Sequence, residues 1–216
     1  GDANLYQINV KLFHEEKLVS EASTNLGIRE IHLDRTDVNT PDHPGRFEFI
    51  ANGVKIFCKG TNWVPADAFH SRDAERIPRI FDLIQEMDCN IIRCWGGNVY
   101  ETHQFYDLCD KYGIMVWQDF SMACAVYPQQ PDFLESIREE AVSIVKLLRQ
   151  HPSLVLLSGD NEEDSGIVHG NINDDFKRDP SSNKITREVL PEVVRMYHPT
   201  VSYLPSSPYY SRTAFQ

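Results

Sequence analysis

Apolar and polar positions alternate from Leu5 to Leu12, with Tyr6, Ile8, Val10 and Leu12 on one side and Gln7, Asn9 and Lys11 on the other. Period two predicts a strand. A second strand is predicted over 27–33, with the polar stretch 14–25 as the break between them. The cluster Asn39 to Gly45, with Pro41 and Pro44, reads as a linker. Phe47, Phe49 and Ile50 then lead into Asn52-Gly53, a two-residue hairpin signal, and a strand over 54–58.

Beyond this point the period changes. A helix is predicted over 73–87, with Ser71 and Asp73 as caps and Ile77, Ile80, Phe81 and Ile84 on one face. Strand 90–95 follows, then helix 102–112 ended by Gly113, then strand 114–120. A long helix over 131–149 places Phe133, Ile137, Ala141, Val145 and Leu148 at helical spacing. The unbroken apolar run 154–157 suits a strand of a parallel sheet. Residues 165–183 read as a polar loop, 185–197 as a helix and 202–204 as a fifth strand.

Alternating strands and helices predict an α/β fold with a parallel sheet and right-handed crossovers. An open nucleotide-binding sheet needs a glycine-rich turn after its first strand. The only glycine pair is Gly96-Gly97. Polar residues instead gather at the C-terminal ends of the strands: Asn62, Trp63 and Asp67; Arg93 and Trp95; Trp117, Gln118 and Asp119; Asp160, Asn161 and Glu162. That is where a (β/α)8 TIM-type barrel builds its site. The expected organisation is therefore the end of an immunoglobulin-like β-sandwich over 1–40 and the first five strands of a barrel over 41–216, an incomplete barrel whose edges need cover.

Composition narrows the partners. The 216 residues carry 21 basic and 32 acidic side chains, a net charge of −11. Such a chain repels nucleic acid and anionic membrane surfaces. No apolar run is long enough for a membrane helix. Cys58, Cys89, Cys94, Cys109 and Cys124 show no CxxC spacing and read as buried free thiols, which favours a reducing, cytoplasmic compartment.

Glu162 is the leading chemical candidate. A carboxyl beside another, in a cleft, can be held protonated near neutrality and act as a general acid. The competing reading is a solvated acidic loop, since Asp160, Glu162, Glu163 and Asp164 form a run. Asp119 behind Trp117-Gln118 could grip a sugar hydroxyl, or cap a helix. Trp63 and Trp95 could stack on a sugar, or pack in the core. Arg93 could hold an acid in place. His70, His103, His151 and His169 have no metal-ligand spacing and read as structural or surface residues.

Read together, Lys59 to Phe69, Asn90 to Glu101, Phe105 to Asp110, Gly113 to Phe120, His151-Pro152-Ser153, Gly159-Asp160-Asn161-Glu162 and Tyr203 to Pro208 resemble family 2 glycoside hydrolases of the β-mannosidase type, in order and at matching intervals. Leu5-Tyr6 and Gly27-Ile28-Arg29 resemble the end of the sandwich that precedes that family's barrel. The resemblance implies a retaining exo-glycosidase without metal or organic cofactor, acting on oligosaccharides with a terminal β-mannose. It implies Glu162 as acid/base, with Asn161, Trp95, Asp119, Trp117, Asn62, Trp63 and Asp67 around the sugar. The family's nucleophile is a glutamate after a seventh strand, expected beyond Gln216. The chain alone is then expected to hydrolyse little or nothing and to need the rest of its polypeptide, or a partner chain, to complete the barrel. Leu157 stands where the family usually has Trp, a departure bearing on the pocket floor. The alternatives are a sister specificity (β-glucosaminidase or β-galactosidase), a non-catalytic sugar-binding half barrel, and a structural subunit that pairs to close the sheet.

Overall fold

A computed structural model describes residues 3–36, 42–43, 45–169 and 179–211. The chain opens with an antiparallel hairpin, β1 (Leu5–His14) and β2 (Lys17–Gly27), paired from Leu5↔Gly27 to His14↔Lys17. Its turn is Glu15-Glu16, both at positive φ (45° and 65°) as a two-residue hairpin requires. The expected break over 14–25 is therefore a strand. Its polarity misleads because nearly all of β2 is solvated, so Ser, Thr and Glu line a ladder rather than a loop.

The second predicted strand starts later, as β3 (Ile31–Arg35). It pairs with β4 (Phe47–Ala51), which turns through Asn52-Gly53 into β5 (Val54–Ile56). The hairpin signal is met, with φ of 49° and 78° at those two residues. The boundary expected at 40/41 falls inside this three-stranded sheet. Of the linker expected at 39–45, residues 39–41 and 44 lie outside the described residues.

Five parallel strands follow in sequence order: β6 (Gly60–Trp63), β7 (Ile91–Cys94), β8 (Met115–Asp119), β9 (Leu154–Ser158) and β10 (Ser202–Leu204). The first barrel strand is β6 and not the run 54–58, so Asn62 and Trp63 lie within it rather than after it. Its sequence, Gly-Thr-Asn-Trp, has no apolar alternation to announce it. Close approach announces it instead: a Cβ on Gly60 would sit 1.8 Å from the Ile91 carbonyl oxygen.

Helices α1 (Asp73–Glu86), α2 (His103–Tyr112) and α3 (Pro131–Leu148) connect these strands. Gly113 ends α2 in the left-handed region, as expected. The polar loop expected at 165–183 overlaps a short helix, α4 (Glu163–His169), while residues 170–178 lie outside the described residues. A π turn (Ile185–Val189) runs into α5 (Leu190–Tyr197).

Alternate residues of β7 and β8 serve two cores, and β9 contributes to both. Ile92, Cys94, Val116 and Leu157 face the helices, against Ile77, Phe81, Phe105 and Val145. Ile91, Met115, Leu156 and Leu204 face the concave side and meet Ile31 and Phe49, so β3 and β4 plug the floor of the sheet. Arg29 fastens the preceding segment to the same end, donating from Nε to the Pro152 carbonyl (2.7 Å) and from Nη2 to that of Leu154 (2.8 Å).

Candidate active site

Register places the first group. Asn62 lies opposite Arg93, and Arg93 opposite Trp117, so three concave-facing side chains come level on β6, β7 and β8. The Arg93 guanidinium connects them. Its Nη1 donates to Asn62 Oδ1 (3.3 Å), its Nη2 to Asp119 Oδ2 (2.6 Å) and Asn161 Oδ1 (2.8 Å), and its Nε to Asp119 Oδ1 (3.4 Å). Its Cζ lies 5.7 Å from the centroid of the Trp117 ring. Below, Phe47 packs on that ring with centroids 6.0 Å apart. Asn62, Arg93 and Trp117 line a cavity of about 560 Å³, floored by Phe49 and Ile91.

Asp119 is wholly buried. Besides Arg93 it accepts from Trp117 Nε1 (3.0 Å) and from the Gly96 amide (3.1 Å). Burial pushes its carboxyl up to about 6, against the pull of Arg93 and these donors. It stands behind Arg93 and has no surface of its own to offer a ligand. Gly96 must be glycine because a Cβ there would meet the Met122 carbonyl oxygen at 2.2 Å. A Cβ on Gly97 would lie 2.1 Å from the ring of Trp95, which rests half-buried against it.

The turn after β9 extends the parallel ladder by backbone hydrogen bonds to both sides. Asn161 N donates to Met122 O (3.0 Å), Cys124 N to Asn161 O (2.9 Å) and Glu162 N to Ser207 O (3.0 Å). This grip holds Glu162 at φ 66°, a conformation that costs a non-glycine residue roughly 1–2 kcal/mol. The strained backbone turns the Glu162 side chain outward, exposed, while Asn161 points in toward Arg93. The Cys124 thiol sits between the two, 3.4 Å from Glu162 Oε2 and 3.3 Å from Asn161 Nδ2.

The acidic run is not a solvated loop. Asp160, Glu163 and Asp164 are buried, and Glu162 alone is exposed. Asp160 Oδ1 accepts from the Glu163 amide (3.2 Å) at the start of α4 and from Ser206 Oγ. Asp164 Oδ2 pairs with Arg187 Nη2 (2.6 Å).

Asn62, Trp117, Asp119 and Asn161 thus converge on Arg93, with Trp95 next to the Gly96 amide and Glu162 reached through Cys124. Two expected residues stand elsewhere. Trp63 is 4% exposed on the helix side, packed on Phe105 and donating to Glu101 Oε1 (2.8 Å). Residue parity along β6 turns it away from the cavity that Asn62 lines. Asp67 accepts from the Phe69 amide (2.8 Å) and pairs with Arg76 (2.7 Å), so it ties down the entry to α1. The Phe69 amide and then the arginines hold its carboxyl below the usual range. Leu157 is likewise on the helix side, so its departure from the family pattern does not reach the cavity floor.

Sequence reasoning passed over Cys124, Glu163 and Glu101. The spacing Asp160-x-x-Glu163 is a helix-start signature that could have found α4. His151 is buried: its Nδ1 bonds Asp110 Oδ2 (2.7 Å) and its Nε2 bonds His103 Nδ1 (2.9 Å). Asp107, Asp110 and His151 have ligand atoms within 4.8 Å of one another, but they lie at the opposite end of β9 from Glu162. All five cysteines are free, but the expected burial holds only for Cys94 and Cys109, since Cys89 is half-buried and Cys58 and Cys124 are exposed; among the described residues no helix is long and apolar enough to cross a membrane.

Residues 46–211 match the family described as glycosyl hydrolases family 2, TIM barrel domain. Beta-mannosidase B of Aspergillus fumigatus is 40% identical over 220 residues, 97% of this chain and 26% of that protein. The crystal structure of beta-D-mannosidase from Dictyoglomus thermophilum superposes with a TM-score of 0.88 at 38% identity, over 97% of this chain and 25% of that one. A beta-glucuronidase from Parabacteroides merdae, at 17% identity and a TM-score of 0.73 over 94% of this chain and 23% of its own, shares the fold. The chain spans about a quarter of the length of the relatives it matches. The family match runs from β4 through β10 and takes in most of the chain, so this protein belongs to glycoside hydrolase family 2 and carries sequence of that family's TIM barrel domain.

Proposed function

We propose that this chain supplies the acid/base half of a retaining exo-β-mannosidase that removes terminal β-linked mannose from oligosaccharides. The observation that carries the reading is the pairing of an outward Glu162 with an Asn161 fixed by Arg93, at the C-terminal ends of parallel strands. Glu162 protonates the leaving oxygen, then takes a proton from the water that releases the sugar. Asn161 and Arg93 present donors to sugar hydroxyls, and Trp95 and Trp117 offer faces for the ring. Asp119 serves by fixing Arg93. The beta-mannosidases above support mannose as the sugar.

A retaining mechanism needs a second carboxyl about 5–5.5 Å from the first. Asp119 is unsuited, since both its oxygens are taken by Arg93, Trp117 and Gly96. We place the nucleophile beyond Gln216, on the remainder of the same polypeptide or on a partner chain that completes the barrel. The expected division at residue 40 into a sandwich end and a barrel is kept only for the β1–β2 hairpin, which forms its own sheet.

The test uses the natural polypeptide that contains this sequence. Glu162→Gln should lower kcat/KM on a β-mannoside with a poor leaving group by about 10²–10⁴-fold, the usual worth of general acid catalysis. A strongly activated aryl β-mannoside, which needs no protonation to leave, should be largely spared in the first step. Equal loss on both substrates would assign Glu162 another role. No loss on either would remove it from the chemistry.

A further inference from the structure

Beneath Glu162 lies a hydrogen-bond account that does not close with ionised carboxylates. Asp160 Oδ1 is satisfied by Ser206 Oγ and the Glu163 amide, and Glu163 Oε2 accepts from Asn183 Nδ2 (2.8 Å). The other oxygen of each, Asp160 Oδ2 and Glu163 Oε1, is fully buried and has no donor among the described residues. The Glu163 amide on Asp160 Oδ1 (3.2 Å) brings the two residues together, and they are 0% and 2% exposed.

The described neighbours offer nothing further. Arg187 spends Nη2 on Asp164 Oδ2 and Nη1 on Thr186 Oγ1 (2.8 Å). Asp164 takes a second donor on the same Oδ2 from the Tyr210 amide (2.9 Å), and its Oδ1 is likewise buried without a donor among the described residues. Tyr203 gives its hydroxyl hydrogen to the Thr186 carbonyl (2.8 Å). The Cys124 thiol is with Glu162. Two ionised carboxylates side by side in a dry site would leave both bare oxygens without a donor and would repel, a combination buried polar groups avoid.

We propose that Asp160 and Glu163 hold one proton between their two bare oxygens, and that this carboxyl–carboxylate pair positions the turn from which Glu162 projects. One O–H···O⁻ bond satisfies both oxygens and removes the repulsion. The two residues flank Glu162 in sequence, so the bond clamps the turn from inside while the bonds to Met122 and Ser207 hold it from the sides. Burial, then mutual repulsion, holds the Glu163 carboxyl above its ordinary value, in keeping with a retained proton. Withdrawing that proton to solvent at high pH would leave two buried anions and loosen the clamp.

The positioning role rests on the reading of Glu162 as the acid/base; the proton itself does not. The first measurement is therefore made on the 216-residue chain, by infrared spectroscopy at neutral pH. A buried carboxylic-acid C=O stretch is expected in the native chain. It should vanish in both Asp160→Asn and Glu163→Gln, because the new amide donates the hydrogen and leaves its partner ionised. A native spectrum without the band, or a band that survives both substitutions, overturns the proposal. The second measurement follows kcat against pH in the natural polypeptide. Asp160→Asn should flatten the high-pH fall, whereas Asp160→Ala should lower kcat throughout with KM little changed. Profiles identical to wild type for both variants would show that the pair does not position Glu162. If Glu162→Gln is itself without effect, the acid/base reading fails while the infrared result still stands.

Discussion

Arg93 meets Asp119 through two nitrogens, Nη2 to Oδ2 at 2.6 Å and Nε to Oδ1 at 3.4 Å, and the carboxylate has no exposed surface. The pair orders everything else at this end of the sheet. Removing one partner strands a buried charge, which typically costs about 3–5 kcal/mol. Arg93→Ala should therefore lose stability on that scale in urea denaturation and release Asn161. Asp119→Asn should cost less, because an amide leaves no anion behind. A loss below about 1 kcal/mol for Arg93→Ala, the level of exposed pairs, would show the contact to be of surface strength.

The pH dependence of stability has a definite sign. Asp119, Asp160 and Glu163 are held above ordinary carboxyl values, chiefly by burial. The unfolded chain loses these protons near pH 4, while the folded chain keeps that of Asp119 to about 6 and the Asp160–Glu163 pair keeps one of its two longer. Between those limits the folded state binds more protons, so stability falls as pH rises. The Tm should drop from mildly acidic to neutral pH, and less steeply in Asp119→Asn. A Tm that climbs over that range would contradict the burial of these carboxyls.

Glu162 should be a residue whose replacement stabilises. Its φ of 66° suits glycine. Glu162→Gly should be more stable than Glu162→Ala by about 1 kcal/mol, since alanine keeps the Cβ that the left-handed region disfavours. Chemical denaturation of the two variants decides this, and equal stabilities would mean that the backbone relaxes once the glutamate is gone.

Gly96 and Gly97 should separate in their effects. At Gly96 the obstacle is a backbone carbonyl, which cannot give, so Gly96→Ala should destabilise and disturb the Asp119 contact. At Gly97 the obstacle is the Trp95 ring, which can turn aside. Gly97→Ala should keep the fold and shift Trp95, read as changed tryptophan fluorescence and, in the natural polypeptide, a raised KM. Unchanged fluorescence in a folded Gly97→Ala chain would place Trp95 elsewhere.

Thiol labelling checks the packing directly. Cys58 and Cys124 are exposed, while Cys94 on β7 and Cys109 on α2 are buried in the core between sheet and helices. Under native conditions a small alkylating agent should modify the first two, slowly because burial raises both thiols, and spare the last two. Native labelling of Cys94 would contradict the helix-side core.

The barrel strands with apolar runs were legible in the sequence, and so were the helices with one buried face. Leu154 to Leu157 and Ile77, Phe81 and Ile84 announce themselves by period. Failures came where exposure or backbone contact, rather than side-chain burial, decides the structure. β2 is a strand without a buried face, and β6 is a strand because Gly60 admits the Ile91 carbonyl. Of the candidate site, Glu162, Asn161 and Asp119 could be named from position and family resemblance. Trp63 cannot be sorted from Trp95 and Trp117 by sequence, because Gly-Thr-Asn-Trp has no apolar alternation to fix the start and parity of β6. The buried state of Asp160, Glu163 and Asp164 was hidden by their charge, since a run of four acids reads as solvent-facing until Ser206, Asn183 and Arg187 are seen to enclose it.

The floor formed by β3 and β4 bears on where this unit can be cut. The family match begins at residue 46, and a module started there would keep β4 but lose Ile31 to Arg35, its ladder partner. Phe49 would be stripped on one side, the Arg29 tether to Pro152 and Leu154 would be gone, and the concave side would open from below. The smallest piece that keeps its cavity intact begins before Arg29, upstream of any boundary drawn from composition or from the family match.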